Sequence, residues 1–149
     1  MSGNLTGAAV AWALAHVGDR QYALRCLALV EDAYERPNGI EVFGGASATE
    51  SAAIYGVQPY DAARPPPAGS LVFYACSGPA GGAWRSWGHV GLALGDGRVV
   101  HAWDQVRVDD ALCVEGLPPA PRWSQPALLG WTPPDRVLAG HRRREWVDA

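Results

Sequence analysis

Residues Gly88 to Trp103, reading GHVGLALGDGRVVHAW, constrain the fold of this chain more than any other stretch. Val90, Leu92 and Leu94 alternate with small residues, the pattern of a strand with one face buried. Gly95-Asp96-Gly97 supplies the positive-φ positions that a tight hairpin turn needs, and Val99 and Val100 begin the return strand. The hairpin puts His89 at the start of one strand and His101 near the end of its antiparallel neighbour. Residues so placed can lie side by side on one face. Two imidazoles in that relation suit a base and the group that orients it. A nucleophile must then come from elsewhere in the chain.

Upstream, residues 5–17 carry Ala9, Val10, Ala13, Leu14 and Val17 at the spacing of an apolar helical stripe. Asn4 or Thr6 would cap that helix and Gly18-Asp19 would end it. A second helix is predicted from about Ala23 to Arg36, stopped by Pro37-Asn38-Gly39 and burying Cys26, Leu29, Val30 and Ala33. Gly44-Gly45 and the segment Ala48 to Tyr55 read as a loop and a short third helix. Residues 64–69, RPPPAG, form a stiff extended connection rather than a domain linker. Leu71 to Tyr74, LVFY, is an apolar run of strand length, and Ser77 to Gly82 reads as a Gly/Pro-rich loop. Val106 and Val108 alternate as a further short strand. Gly116 to Pro126, with four prolines, should be irregular, and Leu128 to Trp131 is a last strand. His141 to Glu145 reads as a solvated end. Helices first, then an antiparallel meander of about five strands, make an α+β layout.

The 149 residues suit one domain with a sizeable core. A net charge of −3 gives no electrostatic argument for nucleic acid or an anionic membrane as partner. No apolar run approaches the length of a membrane span. Nor does the N-terminus show a basic segment, an apolar core and a cleavage site, so a cytoplasmic location is expected. Export by a route without an N-terminal signal stays open. Oligomeric state is not legible in the sequence. The seven Trp are many for this length, and Trp87 and Trp103 flank the histidines, which points to an aromatic-walled cleft.

Cys26, Cys76 and Cys113 are odd in number and show no short-range pairing pattern, which argues against a disulfide framework. Cys26 falls in the first turn of the second predicted helix. There the helix dipole and free N–H groups favour thiolate over thiol. No metal-ligand spacing joins the cysteines and histidines, so neither a metal nor another cofactor is expected.

The order Cys, His, then a third polar residue resembles the NlpC-type cysteine peptidases, papain-like enzymes that cleave bacterial cell-wall peptides. Four segments spread over roughly residues 10–132 carry the resemblance. Cys26 to Tyr34, CLALVEDAY, looks like the helix that begins with the family's nucleophile, and Pro67 to Tyr74, PAGSLVFY, like its Pro-Gly-Asp-Leu-Val-Phe-Phe strand. Gly88-His89-Val90-Gly91 resembles the strand bearing the catalytic His, and Gly95-Asp96-Gly97 through His101-Ala102 the turn and third-residue strand. The family usually has Asp-Cys-Ser-Gly at the nucleophile, where this chain has Arg25-Cys26-Leu27-Ala28. Cys76-Ser77-Gly78 follows the LVFY strand directly, too late in the chain to match, and reads as a decoy. Tyr22 corresponds to the family's aromatic upstream of the nucleophile, without the Gly-rich spacer between them.

The resemblance therefore implies a papain-like NlpC-type fold with Cys26, His89 and His101 as catalytic triad and Tyr22, Trp87 and Trp103 as substrate-binding residues. His89 would take the thiol proton, giving a thiolate–imidazolium pair, and His101 would fix the His89 tautomer. The Cys26 N–H would meet the oxyanion of an amide under attack, and an acyl-thioester would follow. The expected partner is a small peptide or amide, by resemblance a muropeptide cut next to a γ-D-glutamyl unit. Two alternatives remain at this point. One is a biosynthetic or acyl-transfer enzyme using the same site on a small amide or thioester. The other is a catalytically silent binding or immunity-type module.

Overall fold

The computed structural model describes residues 2–147. In chain order the helices and first strands are α1 (Ser2–Ala15), α2 (Cys26–Glu35), β1 (Ile40–Glu41), α3 (Ala48–Tyr55) and β2 (Leu71–Ala75). Then follow β3 (Ser77–Ala80), β4 (Ala83–Ser86), β5 (His89–Ala93), β6 (Arg98–Ala102) and β7 (Val106–Asp110). A 3₁₀ turn at Cys113–Gly116 leads to β8 (Ala127–Thr132), α4 (Pro134–Leu138) and β9 (Arg142–Arg143).

The α+β layout holds, with five strands in the antiparallel order β7-β6-β5-β2-β8. Strands β2, β5, β6 and β7 form a meander, and β8 returns to pair with β2 on the far side. Strand alternation then sorts the side chains onto two faces. Leu71, Phe73, Val90, Leu92, Val100 and Val106 pack on the helices, against Ala9 and Ala13 of α1 and Leu29, Val30 and Ala33 of α2. Val72, Tyr74, Ala93 and Val99 lie on the opposite face with Ala111 and Val114. His89 and His101 belong to this second face, because His101 pairs with Gly91 and Val99 with Ala93. Gly91 is the close neighbour between them: a Cβ there would lie 3.2 Å from that of His101.

Several local expectations need correction. Helix α1 starts at Ser2, so Asn4 and Thr6 lie inside it rather than at its cap. Its fully buried residues are Ala9 and Ala13, and Leu14 and Val17 stay nearly half exposed. The segment read as a loop from Ser77 is the β3–β4 hairpin, turned by Gly81 and Gly82, both at positive φ. The expected solvated end is a strap: β9 pairs with β1, and the Trp146 indole donates to the Ile40 carbonyl. Arg36 and Arg144 cover the Trp146 ring at 4.2 and 4.1 Å from its centroid. Among the described residues, no helix is long and apolar enough to cross a membrane.

Gly88 enters the histidine strand at φ +80°, and a Cβ there would stand 2.7 Å from Thr49 Oγ1 and 2.8 Å from Thr49 N. Gly97, in the hairpin turn, has a similar φ of +93° but open space around it. Both lose about 1–2 kcal/mol of backbone preference on gaining a side chain. Gly88→Ala adds the collision with the start of α3. Chemical denaturation should therefore show Gly88→Ala losing at least ~1 kcal/mol more than Gly97→Ala. Equal losses would mean that α3 yields freely.

Candidate active site

The start of α2 is held against the end of the histidine hairpin by backbone bonds. Gly18 N–H donates to the Val106 carbonyl at 2.8 Å, and Val106 N–H to the Asp19 carbonyl at 2.9 Å. Leu24 N–H reaches the Trp103 carbonyl at 3.3 Å, with Leu24 held in the left-handed region at φ +62°. Cys26 is then the first residue of α2. Arg25 before it supplies no side-chain cap to the first-turn N–H groups.

Cys26 opens into a cavity of about 910 Å³ whose wall also includes Cys76, Trp87, His89 and Trp103. Of the expected site residues, Cys26, His89, Trp87 and Trp103 thus share one cavity. Tyr22 is not part of its wall: its hydroxyl donates to Asp32 at 2.7 Å, and its ring meets Trp12 and His16 edge-on. His101 sits behind His89, with no exposed surface.

The two rings are bonded. His89 Nε2 and His101 Nδ1 are 2.9 Å apart, with the rings at 80° to one another. His101 Nε2 lies 2.7 Å from Asp109 Oδ2. Arg107 fixes that carboxylate from the other side, Nε donating to Oδ2 at 2.8 Å and the terminal nitrogen to Oδ1 at 3.2 Å. An ionised carboxylate only accepts. His101 therefore donates from Nε2, its Nδ1 accepts, and His89 donates from Nε2 in turn. The His89 Nδ1 lone pair is left free on the cavity side. Asp109 and Arg107 were not singled out in the sequence. The signal was present in VRVD, where Val106 and Val108 face the helices and the alternate residues must join the histidine face.

The protonation state departs from the expected thiolate–imidazolium pair. Cys26 keeps part of its surface, yet its thiol is surrounded by protein, and this burial pushes its pKa up to about 11. The backbone N–H groups of Val90, Leu27 and Cys26 pull the other way, and burial wins. His89, 4% exposed, is held well below the usual imidazole value by burial and then by the neighbouring His101. His101 is also lowered, burial outweighing the bond to Asp109. At neutral pH the site rests as thiol and neutral imidazoles. The N–H groups at the helix start act in the expected direction, and the larger desolvation outweighs them.

Cys76, read as a decoy, ends up on the cavity wall. Its thiol donates to the Ser124 carbonyl at 3.5 Å, and burial raises its pKa. Backbone N–H groups gather around the Cys26 thiol, whereas Cys76 meets a carbonyl. Cys113 is exposed and does not line this wall.

With the thiol raised and the imidazole lowered, the thiolate fraction of Cys26 grows with pH throughout the neutral range. Iodoacetamide labelling of Cys26, followed by peptide mass spectrometry, should keep climbing beyond the ordinary thiol pKa of ~8.5. A rate that is flat from mildly acidic to neutral pH would instead mean a preformed ion pair.

Compared with known proteins, the chain matches no family model and no curated sequence.

Proposed function

We propose that this chain is a cysteine-nucleophile hydrolase of amide bonds with a papain-like, NlpC-type fold, in which Cys26 attacks and His89 is its base. One observation carries the reading: the bonded series Asp109, His101, His89 leaves a single imidazole lone pair beside the cavity that Cys26 also lines. A neutral imidazole with a fixed tautomer is what general-base removal of a thiol proton requires.

As the sulfur attacks the carbonyl carbon, its proton passes to His89 Nδ1. The oxyanion formed faces the N–H groups at the start of α2, with Cys26 N–H the nearest by sequence. Collapse breaks the C–N bond, and His89 returns the proton to the departing amine. Water, deprotonated by His89, then attacks the thioester, releasing the acid and restoring the thiol. His101 acts through His89: in the imidazolium stage it accepts the charged ring's N–H bond, and Asp109 stabilises the pair. A muropeptide as substrate rests on the resemblance alone.

The test uses para-nitrophenyl acetate, whose acetyl group should pass to the Cys26 sulfur as para-nitrophenolate leaves. The adduct should be absent in Cys26→Ser and slowed about 10²-fold or more in His89→Ala. Asp109→Asn should slow it by about 10-fold or more, because the amide no longer dictates which nitrogen of His101 carries the proton. Since His89 stays neutral well below pH 6.5, the acid limb of acylation should lie below that value. Acetylation of Cys76 or Cys113 in place of Cys26, or a rate indifferent to His89→Ala, would overturn the assignment.

A further inference from the structure

The cavity around Cys26 is unusual in what its aromatic walls withhold. Trp87, Trp103 and Trp123 line it together with Pro79, Pro118 and Pro119. Indoles normally bring a hydrogen-bond donor to a binding site. Here the Trp87 N–H is taken by the Gly78 carbonyl and the Trp103 N–H by the Pro118 carbonyl, both at 2.9 Å. Those two rings therefore offer only their surfaces. Trp123 is seated by close approach to the β3–β4 hairpin: a Cβ on Gly78 would fall 2.0 Å from its ring. The prolines carry no N–H at all.

Few charged groups line the cavity. Arg25 is its one cationic lining residue among those described, against the carboxyls of Glu31 and Asp104. Arg25 is exposed, with one guanidinium N–H on the Gln21 carbonyl at 3.4 Å and the group lying over the Tyr22 ring. Glu31 has burial and the nearby Glu35 and Asp32 against its ionisation, so its carboxyl keeps a proton into the neutral range. A substrate carboxylate seated against the tryptophan and proline wall would lose its water to rings that carry no cation.

We propose that this cavity selects an acyl group bearing a flat apolar substituent, seated against the tryptophan and proline wall, and excludes acyl groups that carry a carboxylate. The inference rests on Cys26 being the acylated nucleophile. It turns the substrate class away from the several carboxylates of a cell-wall peptide and toward neutral aryl-acyl amides.

The experiment compares three para-nitrophenyl esters on the intact protein: acetate, phenylacetate and para-carboxyphenylacetate. Each rate of Cys26 acylation is divided by the rate of the same ester with free glutathione. Phenylacetate should exceed acetate by at least about tenfold. The para-carboxylate, on the same ring, should lose most of that gain, and Trp123→Ala should reduce the gain for phenylacetate. Equal ratios for acetate and phenylacetate, an equally fast carboxylate, or a gain untouched in Trp123→Ala would each overturn the proposal while leaving Cys26 as nucleophile. No adduct on Cys26 from any ester would overturn the hydrolase reading and this inference with it.

Discussion

A buried series of hydrogen bonds, Asp109 to His101 to His89, is the constraint on which the rest of this structure depends. Polar rings without water must be bonded or they destabilise the fold by a few kcal/mol each. His101 has no exposed surface and His89 almost none, so both rings need partners with complementary roles. A neutral imidazole can donate from one nitrogen and accept at the other, and a carboxylate at one end makes the direction of every bond follow. Arg107 balances the charge of that carboxylate and holds both of its oxygens. The series crosses three neighbouring strands, β5, β6 and β7, in one step per strand. Antiparallel register puts its members on one face without any irregularity in those strands.

The free end of that series gains its meaning from the start of α2. An uncapped helix start next to a left-handed Leu24 is locally unfavourable by about 1–2 kcal/mol for the backbone conformation alone. Backbone bonds from residues 18–24 to Trp103 and Val106 hold it in place. The result is a thiol, a lone pair and a helix start without a side-chain cap on one cavity, with the sheet face carrying His89 and the helix carrying Cys26. Gly88 lets β5 approach α3 closely enough to set that edge of the cavity.

Much of this was legible in the sequence, and the residues that were not share a cause. The hairpin of Gly88 to Trp103 was readable because alternation and a Gly-Asp-Gly turn are local signals. Helix α3 matched its expected Ala48 to Tyr55 bounds, and the strands at Leu71 and Val106 were readable from apolar patterning. Asp109 was not readable as a partner of His101, since that depends on the β6–β7 register, which no local pattern states. The Trp146 strap and the two-residue strands β1 and β9 depend on contacts made over a hundred positions apart in the chain. The thiolate expectation for Cys26 failed on burial, a property of the packed cavity rather than of the helix. Cys76 was set aside by chain order, while the pairing of β2 with the His89 strand puts it on the same wall.

The central claim is that His89 rests neutral, with its proton on Nε2 and a free lone pair on Nδ1, beside the cavity that Cys26 also lines. Long-range proton–nitrogen NMR on protein labelled with nitrogen-15 histidine reads this directly at neutral pH. The account predicts a protonated Nε2 and an unprotonated Nδ1 on both His89 and His101. An imidazolium at His89, or a proton on its Nδ1, would contradict it.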